Sequence, residues 1–130
     1  MRGTPGIVLV FVLLAGCSQG PKYCDVSGTV TLDGQSVEDG DILFADVGGV
    51  LGPDAAKIKG GHFQAKVKEG KKRIEINAPK IIPGGAKGAG GEPVPEETIP
   101  TEYNTKSTLT EEVTVAGPNE FKFTLQSRKK

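Results

Sequence analysis

Between residues 26 and 126, apolar and polar positions alternate in short runs of period two, and no stretch settles into a helical period. Val26, Gly28, Val30 and Leu32 alternate with Ser27, Thr29 and Thr31, which gives a strand one apolar face. Asp33-Gly34 then supplies a tight turn. Ile42, Leu43, Phe44 and Ala45 are apolar without a break, so the strand at 41–46 is predicted to be buried on both faces. Ala56 to Lys59 and His62 to Val67 flank Gly60-Gly61, the pair that a two-residue hairpin turn favours because its φ angles are positive. Arg73 to Ala78 alternates until Pro79, which has no N–H to give a ladder. Leu109 to Val115 and Glu120 to Gln126 complete the set, joined by Ala116-Gly117-Pro118-Asn119. Leu109, Val113 and Val115 share a face of the first, and Phe121, Phe123 and Leu125 share a face of the second.

About seven short strands with turns at close spacing predict an all-β chain, a single small two-sheet β-sandwich over residues 26–126. The 19 glycines and 9 prolines agree with a turn-rich chain of this kind. Residues 79–107 break the rhythm. This long Gly/Pro-rich loop carries Ile81-Ile82-Pro83, the run Gly84 to Gly91, and Pro93, Pro95 and Pro100. Loops of this length in compact domains are functional or disordered. Lys87 in the glycine run is followed by Gly88, with no helix in view, so the run reads as a flexible insertion rather than a phosphate loop. Ile81, Ile82, Ile99 and Tyr103 either pin the loop to the sandwich or dock a partner.

The N-terminal pattern is different again. Arg2 precedes the apolar run Ile7 to Leu14, and Ala15-Gly16 places small residues before Cys17. The run is far shorter than the roughly 20 residues a spanning helix needs. Leu14-Ala15-Gly16-Cys17 resembles a bacterial lipoprotein signal, in which small residues admit the processing enzymes and the thiol takes up diacylglycerol. The resemblance implies cleavage between Gly16 and Cys17, a signal peptide over 1–16, and a mature chain that starts with lipidated Cys17. An ordinary secretory signal with a Cys17–Cys24 disulfide is the alternative. Residues 17–25 then form a tether, and Ser18 in place of Asp suggests the outer rather than the inner membrane. Several acyl chains hold a protein to a bilayer without help, so the domain itself needs no membrane-binding face.

Charge and chemistry narrow the function mostly by exclusion. The chain carries 16 basic and 16 acidic residues, and loss of Arg2 leaves the mature part near minus one. No basic surface is expected to hold nucleic acid. Lipidation leaves Cys24 unpaired, and its neighbours Lys22, Tyr23 and Asp25 supply no base to activate it. His62 is the one histidine and reads as a solvent-facing turn residue, since it has no second ligand or orienting carboxylate in the pattern. Asp33, Glu38, Asp39 and Asp41 offer oxygen ligands for calcium, but their order does not match a twelve-residue calcium loop. They read as solvated turn residues. The basic tail 127–130, with Arg128, Lys129 and Lys130, gives weak attraction to anionic lipid.

Val26-Ser27-Gly28-Thr29-Val30-Thr31-Leu32-Asp33-Gly34-Gln35-Ser36-Val37-Glu38-Asp39-Gly40-Asp41-Ile42-Leu43-Phe44 resembles the opening of carboxypeptidase-regulatory-like domains, a transthyretin-like sandwich family. Ile99 to Thr110 and Asn119-Glu120-Phe121 are similar to small bacterial lipoproteins built on such a domain. The resemblance implies an accessory or structural module without catalysis. Hydroxyisourate hydrolases share the fold, but their histidines and Tyr-Arg-Gly-Ser type tail have no counterpart in Leu125-Gln126-Ser127-Arg128-Lys129-Lys130. Nor does the first strand carry the lysine that internal isopeptide bonds of pilus-like sandwiches use. The expectation is a membrane-anchored, non-enzymatic lipoprotein of the cell envelope. It has no catalytic or metal residues and no cofactor beyond the lipid on Cys17, and it engages an envelope protein or polysaccharide. A small-ligand or calcium-binding accessory protein is the alternative.

Overall fold

The computed structural model describes residues 20–127, together with Gly3, Thr4 and Gly6. The expected signal peptide, its cleavage site at Gly16 and the lipidated Cys17 lie outside the described residues, as do residues 128–130 of the basic tail. The described chain is all-β, with ten strands and a single 3-10 turn. These are β1 Tyr23–Leu32, β2 Gln35–Ser36, β3 Asp39–Asp46, β4 Asp54–Lys59, β5 His62–Lys68, β6 Gly70–Asn77, β7 Pro79–Lys80, β8 Glu96–Glu97, β9 Thr110–Val113 and β10 Asn119–Leu125, with the 3-10 turn at Thr101–Tyr103.

One curled, mostly antiparallel sheet runs in the order β10-β1-β5-β4-β3-β6-β9, with β2 attached to β1. The one parallel pairing in it joins the first and last strands, Val26 against Asn119 through Leu32 against Leu125. β4 and β5 pair only next to their turn, at Ile58–Phe63 and Lys59–His62. Beyond those rungs β5 follows β1 from Thr29 back to Tyr23, while β4 follows β3. The turn itself is as expected, with Gly60 at φ 55° and Gly61 at φ 79°.

Alternate positions of these strands meet in one core. Val26 and Val30 of β1, Ile42 and Phe44 of β3, Ile58 of β4, Phe63 and Val67 of β5, Ile74 and Ile76 of β6 and Phe123 and Leu125 of β10 are all buried. Phe63 lies at its centre, with ring centroids 6.1 Å from both Phe44 and Phe123, separations at which aromatic pairs attract. Gly28 makes room for this ring. It faces Phe63 on one neighbouring strand and Phe121 on the other, and a Cβ there would come within 2.7 Å of the Phe63 ring and collide with the Phe121 carbonyl oxygen.

Three local expectations are corrected. The strand at 41–46 is fully buried on one face only: Ile42 and Phe44 are sealed, whereas Leu43 and Ala45 are half-buried. Leu43 stands in register with Glu75 and Ala55, so its face carries a charged neighbour rather than a second core. Val115 does not share the buried face of Val113. The strand ends at Val113, and Val115 is 54% exposed, because the Asn119 side chain accepts the Thr114 N–H and donates to the Thr114 carbonyl, both at 2.9 Å, turning the chain away from the sheet. The glycine run, expected as a flexible insertion, is a hydrogen-bonded irregular hairpin. Its base is the β7–β8 pair, and its rungs run from Val94 N to Ala86 O at 3.0 Å and from Gly88 N to Glu92 O at 2.8 Å. β1 also starts at Tyr23, so Cys24 sits in a strand with its thiol buried.

Candidate functional site at the two poles

The strands run between two ends of the sheet. The near pole is where the N-terminal chain arrives at Tyr23, beside loop 47–53, the β5–β6 turn at Glu69 and turn 114–118. The far pole carries the Asp33-Gly34 and Gly60-Gly61 turns, hairpin 79–97 and the strap 98–109. β6 connects the poles, and its eight residues separate them by about 25 Å at ordinary strand rise.

The near pole holds two largely buried lysine–carboxylate pairs. Asp46 ends β3, and its Oδ2 accepts the N–H groups of Val50 at 3.1 Å and Leu51 at 3.2 Å, which shapes the following loop. Its Oδ1 lies 3.7 Å from Nζ of Lys72, a side chain with no solvent exposure. Among the described residues that ammonium makes no hydrogen bond. Asp46 is held below the usual carboxylate range, first by the Leu51 N–H, then by Val50 N–H and the Lys72 charge, against the opposing effect of burial. The second pair is more complete. Lys68 gives Asp54 its ammonium at 2.8 Å and its backbone N–H at 3.0 Å, and its Nζ stands 5.0 Å from the Tyr23 ring centroid. The hydrogen bond to Asp54 raises the Lys68 pKa above its ordinary value, although burial works the other way.

At the far pole, the strap is tied down mainly by neutral groups. Asn104 is buried and donates to the carbonyls of Ile76 at 3.4 Å and Ile99 at 3.2 Å, while its oxygen accepts the Thr105 N–H at 2.7 Å. The Ser107 hydroxyl donates to the Ile74 carbonyl. The Tyr103 hydroxyl donates to the Gln126 carbonyl at 3.3 Å and accepts the Gln126 N–H at 3.1 Å, doing for the end of β10 what a neighbouring strand would. Carboxylates contribute at two points: Glu97 Oε1 accepts Ala78 N–H at 2.7 Å and Ile99 N–H at 3.0 Å, and Asp33 holds the Ser127 N–H that follows β10. Of the four apolar residues expected either to pin the loop or to dock a partner, Ile99 and Tyr103 pin it. Ile81 and Ile82 remain 52% and 44% exposed.

The residues singled out for chemistry are kept apart. Cys24 pairs with Val67 near one end of β5 and His62 begins the other, about 17 Å away along the strand. His62 is exposed, as its position after the turn predicts. The acidic group does not converge. Asp39 pairs with Lys59 at 3.1 Å and Asp41 with Lys57 at 2.6 Å, while Asp33 accepts Ser127 N–H at 2.9 Å. Among the described residues no three His, Cys, Asp or Glu side chains gather where they could hold a metal ion, and no helix is long and apolar enough to cross a membrane.

Sequence reasoning passed over Lys72, Lys68, Asp46 and Asp54. The signal for Lys72 was present: it stands two residues before Ile74 and four before Ile76 on the face those residues bury. Comparison with known proteins adds no name to this geometry: no protein-family model, curated protein or solved structure matches the chain.

Proposed function

We propose that this chain is a lipid-anchored, non-enzymatic module of the bacterial cell envelope. In this reading Cys17 carries the lipid after cleavage behind Gly16, and the curled sheet is a transthyretin-like sandwich similar to carboxypeptidase-regulatory-like domains. It sits at the periplasmic face of the outer membrane or on the cell surface. Hairpin 79–97 presents Ile81, Ile82 and Val94 to an envelope protein or polysaccharide, and nucleic acid is not among its partners.

The observation that carries this reading is the separation of the poles. The chain reaches the sheet from Cys17 at one pole, and the hairpin with its exposed Ile81 and Ile82 leaves from the other. An anchor at one end and an apolar, hydrogen-bonded projection at the other suit a module that holds a partner away from a membrane. Exposed apolar side chains on an ordered loop are a recurrent mark of such contact surfaces.

Fatty-acid labelling of the expressed protein tests the anchor: label should be lost in Cys17→Ala and kept in Cys24→Ala. A photo-crosslinking residue in place of Ile82 tests the partner in native membranes. A discrete adduct is expected, and one absent when the probe replaces exposed Gln64 of the sheet. Label retained by Cys17→Ala, or identical adducts from both probe positions, would refute the corresponding half of the reading.

A further inference from the structure

The near pole presents several apolar side chains outward. Val50 is 86% exposed, Tyr23 62%, Val115 54% and Val47 53%. All four sit on the chain end and loops at this pole. Val47 N–H donates to the Lys71 carbonyl at 3.1 Å, and Glu69 N–H donates to the Lys22 carbonyl at 2.9 Å. Val115 and Tyr23 line one shallow groove.

These tips are also held in place. The Asp46 carboxylate binds the N–H groups of Val50 and Leu51, and the Asn119 amide binds both the N–H and the carbonyl of Thr114. Neither loop carries a charge: Val47 to Pro53 and Thr114 to Pro118 are entirely apolar, glycine, proline or threonine. Around them stand Lys22, Lys66 and Lys71 against Asp25, Glu69, Glu112 and Glu120, all exposed, with Lys66 paired to Asp25. Uncharged, ordered, apolar loop tips inside a rim of mixed charge fit a hydrocarbon boundary better than an ionic partner.

The occupant follows from where the chain ends. Six residue steps separate Cys17 from Tyr23, a reach of at most about 22 Å even when fully extended. We propose that the near pole is a lipid-contacting face that seats Tyr23, Val47, Val50 and Val115 at the headgroup boundary of the bilayer holding the anchor, and so fixes which way the domain points. The proposal rests on the Cys17 anchor. The acyl chains supply the affinity, while the loop tips convert a free tether into an oriented one and turn hairpin 79–97 away from the membrane. Tyrosine is a residue favoured at that depth.

The sequence contains no tryptophan, so Val50→Trp and Ile82→Trp each install a single reporter, at sites too exposed to disturb the core. The lipidated full chain, reconstituted into phosphatidylethanolamine–phosphatidylglycerol vesicles with plain or brominated acyl chains, should float with the vesicles, and Cys17→Ala should not. Val50→Trp emission should shift to the blue and be quenched severalfold by brominated lipid, at low and high salt alike, while Ile82→Trp emission changes little. Flotation that survives Cys17→Ala refutes the anchor but leaves the face standing if Val50→Trp is quenched. Flotation with Val50→Trp unshifted and unquenched, or with both reporters quenched equally, overturns the face and leaves the anchor standing. A chain that does not float overturns both.

Discussion

At the near pole the loop after β3 is held by Asp46, whose second oxygen faces the fully buried ammonium of Lys72. At the far pole the strap before β9 is held mainly by the amide of Asn104 and the hydroxyls of Ser107 and Tyr103. Both arrangements satisfy backbone groups that would otherwise be lost to water. They differ in what failure costs. A neutral clamp that is removed leaves dipoles unpaired, whereas half of a buried ion pair that is removed leaves a charge in the core. The near pole is thus closed by interactions that tolerate little change singly and more change jointly.

The largest effect is expected from breaking the charged closure on one side. Asp46→Ala strands the Lys72 ammonium and frees the Val50 and Leu51 N–H groups. It should lower the melting temperature more than any single change in the strap. Lys72→Met should be neutral or stabilising, since an apolar residue of similar length suits a site with no solvent exposure. The double variant should recover the share of the Asp46→Ala loss that comes from the stranded ammonium, and not the share from the freed Val50 and Leu51 N–H groups. Thermal melts of the four proteins form the cycle, and additive losses would show that Lys72 and Asp46 are not coupled.

A smaller loss is expected at the strap of the far pole. Asn104→Ala leaves the Ile76 and Ile99 carbonyls and the Thr105 N–H without the amide they share. The cost should be about 1–3 kcal/mol, read from chemical denaturation, and the slope of the transition should stay unchanged. Amide exchange should speed up along 98–109 and leave β1 and β5 as they were. Faster exchange at the near pole would mean that the two closures are one cooperative unit.

The contrast explains what could be read from the sequence. The alternation of Val26, Val30 and Leu32, the glycine pair at 60–61 and the stop at Pro79 are local signals, and the strands they mark are found. The same period-two rule puts Lys72 on the core face with Ile74 and Ile76, but composition argues against burying a lysine, and only the arrival of Asp46 from β3 resolves the conflict. Val115 reads as strand because nothing local reveals that Asn119 pairs back to Thr114. The glycine run at 84–91 lacks apolar periodicity, so its hairpin, built of backbone hydrogen bonds between irregular segments, has no sequence signature. The separation of the poles is likewise invisible until strand order is known, because residues 23, 47–50 and 115 are brought to one end of the sheet only by the register of β1, β3, β6 and β9.

The smallest effect, and the one that separates the poles most cleanly, is their response to pH. Asp46 is depressed in the folded chain from an ordinary value of 3.8. Its contribution is therefore complete above that value and is lost as pH falls through the lower folded pKa. Lys68 is raised from 10.5, so its contribution is complete below 10.5 and is lost as pH rises through the higher folded pKa. Between about pH 5 and 9 neither group changes charge, and melting temperature should be nearly flat. The stability difference between wild type and Asp46→Asn should stay constant over that range and narrow in stronger acid. The difference for Lys68→Met should narrow only in strong alkali. Asn104→Ala, which removes no titrating group, should lie below wild type by the same margin at every pH. A margin for Asn104→Ala that collapses in acid alongside that of Asp46→Asn would show that the far pole depends on the near pole's charges, and the division between an ionic and a neutral closure would have to be abandoned.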